Sequence, residues 1–228
     1  MSDGEPLRTQ QPEFSLVDFI SSVPNFILSG LFFLTWIAPT SIEAKMVSSL
    51  TLLMLLEFIN VHSSAFMENV IIGDAPREKK VRVIAGLGIL YTLFVGGMSL
   101  AFETWWPLAA FWGLTLNRLL GVLMGKAPSG EEKTMMQNSW GVSIFLYVVG
   151  AGLTVFLPVP SFGITEEVVS LQGFTGDGLW EVEPQRVIVF GFLYFAGMGL
   201  YEMNSNRWIP SAAARSAGRG SGGLKFWK

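Results

Sequence analysis

The sequence predicts an all-α protein: a polytopic membrane helical bundle of six transmembrane helices with its N- and C-termini in the cytoplasm. Half of the 228 residues are hydrophobic, only 14% are charged, and the mean hydropathy is +0.46. Soluble domains carry about 25% charged residues, because a surface facing water needs them. Several apolar segments also approach the length of about 20 residues that a helix needs to cross about 30 Å of hydrocarbon.

Composition also limits the chemistry that the chain can perform. The net charge is −3, and the basic residues lie scattered in short connections, which argues against nucleic acid as a partner. The chain has no cysteine and one histidine, so it can form neither a disulfide nor a metal site that needs thiolates or two imidazoles. No metal ligands are therefore predicted, and the sequence identifies no cofactor.

The N-terminal residues 1–23 are predicted to be cytoplasmic and to include a short helix that lies in the membrane interface. Leu16, Phe19 and Ile20 fall on one helical face after Ser15, a residue type that favours a helix cap. The first transmembrane span is predicted at 24–38, where Pro24 suits the start of a helix.

The transmembrane domain is predicted to cover residues 24–208. Its other five spans are expected at about 46–67, 83–102, 105–125, 140–157 and 187–201. The acidic, glycine-containing segment 158–185 reads as an extracytoplasmic loop, in which 164–171 forms either a short strand or an interfacial helix. Residues 209–228 have the composition of a flexible, basic cytoplasmic tail.

The distribution of lysine and arginine predicts the orientation of the spans. Short loops rich in these residues stay in the cytoplasm. Six spans place most of the basic residues on one side: Arg8, Arg77, Lys79, Lys80, Arg82, Lys126, Lys133, Arg207, Arg215, Arg219, Lys225 and Lys228. Lys45 and Arg186 fall on the opposite side, and Arg118 falls within a span. The expected location is the plasma membrane or an inner membrane.

Two charged residues, Glu57 and Arg118, lie near the middle of predicted spans and are the main candidates for a site. We expect them to form an ion pair, with Asn60 and Asn117 as nearby hydrogen-bond partners, since neither charge is stable alone in hydrocarbon. Arg118 could instead extend its guanidinium toward the cytoplasmic headgroups. His62 is a further intramembrane candidate, although it points away from the face that carries Glu57.

Polar residues recur on one face of the second span, at Glu57, Asn60, Ser64 and Glu68. Such a stripe could line a path for protons or ions. It could also hold helices together through hydrogen bonds, which is the more frequent role of polar residues in membrane helices.

Small residues recur at intervals of four on the fourth span, at Ala109, Gly113, Gly121 and Gly125, with Asn117 completing the row. Small residues let two helices approach closely in a membrane. The row therefore predicts a packing face, and we expect its partner to be another helix of this chain, with a helix of another subunit as the alternative.

Three functions remain open at this point, and no catalytic residues are assigned. The first is an accessory or structural subunit of a larger membrane complex, whose partners are other membrane subunits or further copies of the chain. The second is a small transporter or channel that moves protons, ions or a small solute past Glu57 and Arg118, which predicts a water-accessible cavity around Glu57. The third is an intramembrane enzyme, for which no nucleophile with a base in reach is evident.

Overall fold

The computed structural model describes residues 16–125 and 128–204. Within these ranges the chain is helical with turns and loops and contains no strand. The helices in chain order are α1 (Leu16–Ile37), α2 (Met46–Ile72), α3 (Arg77–Ala101), α4 (Trp106–Leu123), α5 (Gly130–Phe156), α6 (Glu166–Leu171), α7 (Leu179–Val182) and α8 (Gln185–Met203). The predicted tail 209–228 and the first residues of the predicted N-terminal segment lie outside the described residues.

Five helices of the described chain are long and apolar enough to cross a membrane: α1 from Phe19 onward, α2, α3, α5 and α8. The predictions of a helical fold and of a membrane protein are therefore confirmed at this level. Helix α4 has 18 residues, about 27 Å at 1.5 Å per residue, and carries Asn117 and Arg118 within its apolar sequence.

Helix α5 extends beyond its predicted span because its first turn is polar and capped. The hydroxyl of Ser129 accepts a hydrogen bond from the backbone N–H of Glu132, and the Glu132 carboxylate accepts one from the N–H of Ser129. This reciprocal cap starts α5 at Gly130, ten residues before the apolar run that predicted it.

Helix α1 differs from the prediction at its N-terminal end. Residues 16–22, expected to belong to a separate interfacial helix, are the first turns of α1, which begins at Leu16 and continues through Pro24. Proline removes one hydrogen bond from a helix interior. The helix nevertheless continues, because the turns after Pro24 pack along α8, with Ser29 donating a hydrogen bond to the carbonyl of Phe192 at 3.1 Å.

Contacts between helix ends define the direction of each helix. Asn25 of α1 meets Glu202 at the end of α8, and Lys80 at the start of α3 donates to the carbonyl of Ile71 at the end of α2. Arg77 donates to the carbonyl of Leu123, at the end of α4. Trp140 and the later Tyr147 of α5 donate to the carbonyls of Val61 and the earlier Met54 of α2, and Arg186 at the start of α8 donates to the carbonyl of Thr154 near the end of α5. Helices α2, α4 and α8 therefore run in one direction, and α1, α3 and α5 run in the other.

The side chains pack into two apolar clusters that share α2. One joins α1, α5 and α8 to the first half of α2, and the other joins α3 and α4 to the second half. Glycines allow close approach in the first cluster, where the ring of Phe32 occupies the position that a Cβ on Gly191 would need. Helix α2 is thus the central element, and its polar face lies where the two clusters meet.

Segment 158–185 folds over one end of the bundle and contains α6 and α7. The helical alternative predicted for 164–171 is correct, since Glu166–Leu171 forms α6, with Thr165 as its cap. The side-chain amide of Gln172 bonds both the N–H of Ser48 and the carbonyl of Ala44. These bonds attach the segment to the start of α2.

Candidate functional site

A cavity of about 640 Å³, lined by charged and polar side chains together with apolar ones, opens between α2, α4, α5 and α8, with the first turns of α1 at its edge. We call it the Glu57 cavity. The whole polar stripe predicted on the second span lines it: Glu57, Asn60, Ser64 and Glu68. The stripe therefore faces a cavity, and two of its members also bond to neighbouring helices, Glu57 to Tyr194 of α8 and Ser64 to Arg118 of α4.

Glu57 lies at the inner end of this cavity in a chain of hydrogen bonds. The hydroxyl of Tyr194 on α8 donates to Oε1 of Glu57 at 2.7 Å, and the hydroxyl of Ser143 on α5 lies 2.7 Å from the Tyr194 oxygen. Since Tyr194 has one proton and donates it to the carboxylate, Ser143 is the donor in the second bond. Three helices thus orient one carboxylate.

Asn60 lies one turn further along α2, beside the same carboxylate. Its Oδ1 is buried and receives no hydrogen bond from any described residue. A buried acceptor without a donor costs about 1–3 kcal/mol. Asn60 therefore keeps an unpaired acceptor next to Glu57, in a position that the open part of the cavity does not reach.

Arg118 lines the cavity from α4, but it does not form the predicted ion pair with Glu57 among the described residues. Its guanidinium donates to the hydroxyl of Ser64 and lies 3.8 Å from the sulfur of Met67. Both residues were predicted near the middle of their spans, and the structure places both in the lining of one cavity. The predicted ion pair did not account for Tyr194, whose hydroxyl donates a hydrogen bond to Oε1 of Glu57.

Two further carboxylates line the cavity, those of Glu68 and Glu202. Asn25 of α1 donates to Glu202 at 2.8 Å, closing the end where α1 begins and α8 ends. Three carboxylates and one guanidinium face the same space, which leaves an excess of two negative charges when all four are ionised. The cavity is therefore better suited to a cation than to an anion.

His62 does not belong to this cavity. Its ring is exposed on the outer surface of the bundle, where Nδ1 lies 2.7 Å from the hydroxyl of Tyr91. The rings of Phe58 and Phe66 flank the imidazole, with centroids 5.9 and 5.3 Å away. The sequence spacing had already separated His62 from Glu57, and the structure places it on an aromatic surface.

The row of small residues on α4 is also on the outer surface, together with Asn117. Ala109, Gly113 and Gly121 are exposed on α4, whereas Gly125, predicted to continue the row, follows the end of the helix at Leu123 in a turn with a φ of 74°. A Cβ at any of these three glycines would meet nothing within 4 Å. The expected partner helix within this chain is therefore absent from the described residues. Helix α4 instead uses its opposite face, including Phe111 and Thr115, to pack on α3.

Sequence reasoning missed Tyr194 and Ser143, which hold the central carboxylate. A usable signal was present on α8, where Tyr194, Met198, Tyr201 and Glu202 fall on one helical face. The face was hard to recognise because tyrosine and methionine are ordinary packing residues in apolar helices.

The fold and the site together define a helical membrane protein with a polar cavity inside the bundle. Comparison of the chain with protein-family models, characterised proteins and solved structures finds no match. Among the described residues, no group of three or more histidines, aspartates or glutamates is arranged to hold a metal ion. The function must therefore be argued from the cavity.

Proposed function

We propose that this protein is a small membrane transporter that binds a cation, a proton included, in the Glu57 cavity. The observation that carries the proposal is a cavity within the bundle whose ionisable lining consists of three carboxylates and one guanidinium. Ionisable residues are costly in a membrane and mark ion and proton pathways when they face a cavity.

The directions of the helices support a count of six membrane crossings with both termini on the cytoplasmic side. Helix α3 ends beside the start of α2, while α5 begins beside the end of α2, so the chain between them must traverse the bundle. Helix α4 makes that passage. Glu57 then lies near the middle of the membrane, and the basic segment between α2 and α3 lies at the cytoplasmic end.

Flux measurements in sealed proteoliposomes test the proposal. We expect the wild-type protein to carry a current of protons, Na⁺ or K⁺ under an applied membrane potential. We expect Glu57→Gln to reduce it at least tenfold, because the amide keeps the shape but cannot hold a cation by charge. Glu43→Gln is the matched control, since Glu43 is exposed and outside the cavity. Equal flux in wild type and Glu57→Gln would exclude Glu57 as the binding group.

A second candidate, an accessory subunit of a larger membrane complex, is favoured by the exposed row of small residues on α4. Such rows let another helix approach closely. Extraction in mild detergent tests this function, because a complex would deliver other subunits in fixed proportion to this chain. Purification of the chain alone, with cation flux retained, would favour transport.

A further inference from the structure

A second cavity lies at the opposite end of α2 from the Glu57 cavity. Its volume is about 360 Å³, and it is bounded by Thr51 and Leu55 of α2, by Phe102 and Val155, and by residues 178–181 at α7. We call it the α7 cavity. Along α2, Thr51 and Leu55 precede Glu57, so the two cavities follow one another along the same helix.

A column of aromatic rings fills the space between the cavities. Tyr194 lines the Glu57 cavity and Trp180 lines the α7 cavity. Between them, the ring of Tyr147 lies 5.7 Å from that of Tyr194 and 4.7 Å from that of Phe190, which lies 5.8 Å from Trp180. The rings form a continuous contact from one cavity to the other.

Tyr147 and Phe190 form the closed part of this column. Phe190 is 0% exposed, and a Cβ on Gly150 would lie 2.7 Å from its ring, so the glycine provides the room that the ring occupies. The hydroxyl of Tyr147 donates to the carbonyl of Met54 at 3.0 Å, which holds the ring across the path. A solute leaving the Glu57 cavity toward α7 must displace these two rings.

The segment that carries α7 is acidic, and one of its carboxylates, that of Glu181, lines the α7 cavity and accepts a hydrogen bond from the N–H of Gly176 at 2.7 Å. Segment 158–185 contains five acidic residues and no basic one: Glu166, Glu167, Asp177, Glu181 and Glu183. Two basic side chains, those of Lys45 and Arg186, lie beside this segment. Arg186 is paired with Glu183 at 2.6 Å. Surfaces with an excess of one charge raise the local concentration of the opposite ion.

We infer that a small cation crosses the protein between the Glu57 cavity and the α7 cavity, and that Tyr147 and Phe190 are the gate that closes this route. The inference rests on the proposed function, since it needs the Glu57 cavity to hold a cation. It adds the route, the position of the barrier and the side chains that must move.

Cysteine accessibility tests the gate without requiring transport. The natural chain has no cysteine, so an introduced thiol is the only one that can react. Ser139→Cys places a thiol in the Glu57 cavity, and Leu179→Cys places one in the α7 cavity, where Leu179 is 40% exposed. A positively charged, membrane-impermeant thiol reagent is added to sealed vesicles of known orientation. We expect each cysteine to react from one side only, and from opposite sides. Leu93→Cys, 73% exposed on the lipid-facing surface, is the unreactive control.

Removal of the Phe190 ring should open the route between the Glu57 cavity and the α7 cavity. In a Phe190→Ala background we expect both cysteines to react from both sides, with at least a tenfold faster reaction from the formerly closed side. Phe111→Ala is the matched control, because Phe111 is also 0% exposed but belongs to the other apolar cluster. Phe190→Leu provides a milder truncation that preserves packing if the alanine variant does not fold.

The outcomes separate the two proposals. Reaction of both cysteines from the same side, or equal effects of the Phe190 and Phe111 variants, would overturn the gate. Sidedness that depends on Phe190, combined with no cation flux through the wild-type protein, would support the barrier and overturn transport. A Phe190→Ala variant that also leaks cations at least tenfold faster than wild type would support both.

Discussion

Helices α8 and α4 both carry glycines within apolar sequences, but the two helices use them differently. On α8, a Cβ at Gly191 would collide with the ring of Phe32, and a Cβ at Gly199 would contact the ring of Phe26 at about 3 Å. These two glycines therefore make room for rings of α1. On α4, the glycines face outward and touch nothing. Small residues at regular spacing therefore indicate that a helix can be approached closely, without indicating whether this chain supplies the approaching helix.

The same contrast holds for their polar residues. Tyr194 of α8 is 1% exposed and bonds to Glu57, whereas Asn117 of α4 is exposed beside the glycine row. Arg118, the neighbour of Asn117, turns inward to Ser64. Adjacent residues on a helix point about 100° apart, so one of the pair reaches the cavity and the other does not.

Gly191→Ala is expected to have the largest effect on stability. The new methyl group would overlap the buried ring of Phe32, and overpacking of this kind costs about 3 kcal/mol. Thermal or denaturant unfolding in mild detergent measures the loss. Gly30→Ala on α1 is the control, because a Cβ there meets nothing within 4 Å. Equal stability of the two variants would contradict the packing described for α1 and α8.

Tyr194→Phe should have a smaller effect, since it removes the hydroxyl but keeps the ring. The carboxylate of Glu57 loses a donor, and a hydrogen bond to a charged group is worth about 2 kcal/mol. Tyr147→Phe, which loses only a bond to the neutral carbonyl of Met54, should cost about 1 kcal/mol. The same unfolding measurement compares them, and a greater loss for Tyr147→Phe would contradict the central role of Tyr194.

Gly121→Ala should have the smallest effect and the opposite sign. Alanine restricts the unfolded chain more than glycine, and its methyl group meets no atom, so stability should rise by up to about 1 kcal/mol. A clear loss of stability, or a change in oligomeric state on size-exclusion chromatography, would indicate that a second chain covers this face of α4.

Much of the fold was predictable because a membrane-spanning helix can be recognised from the length and apolarity of its own segment. Length and apolarity located α2, α3 and α8 within several residues of their observed bounds, and α5 within one residue at its C-terminal end. The ends were less predictable, because capping by Ser129 and the continuation of α1 through Pro24 depend on polar contacts and on packing against α8. The site was predicted in part: Glu57, Asn60 and Arg118 share one cavity, while His62 and Asn117 lie outside it.

The sequence by itself determined a helical membrane protein and a polar face on α2, since both follow from composition and helical period along one segment. Only the tertiary structure decided what that face meets. The donors to Glu57 come from α5 and α8, residues distant in the chain that no local period connects to α2. A buried carboxylate bonds to whichever donor packing brings nearest, and here that donor is Tyr194 rather than Arg118.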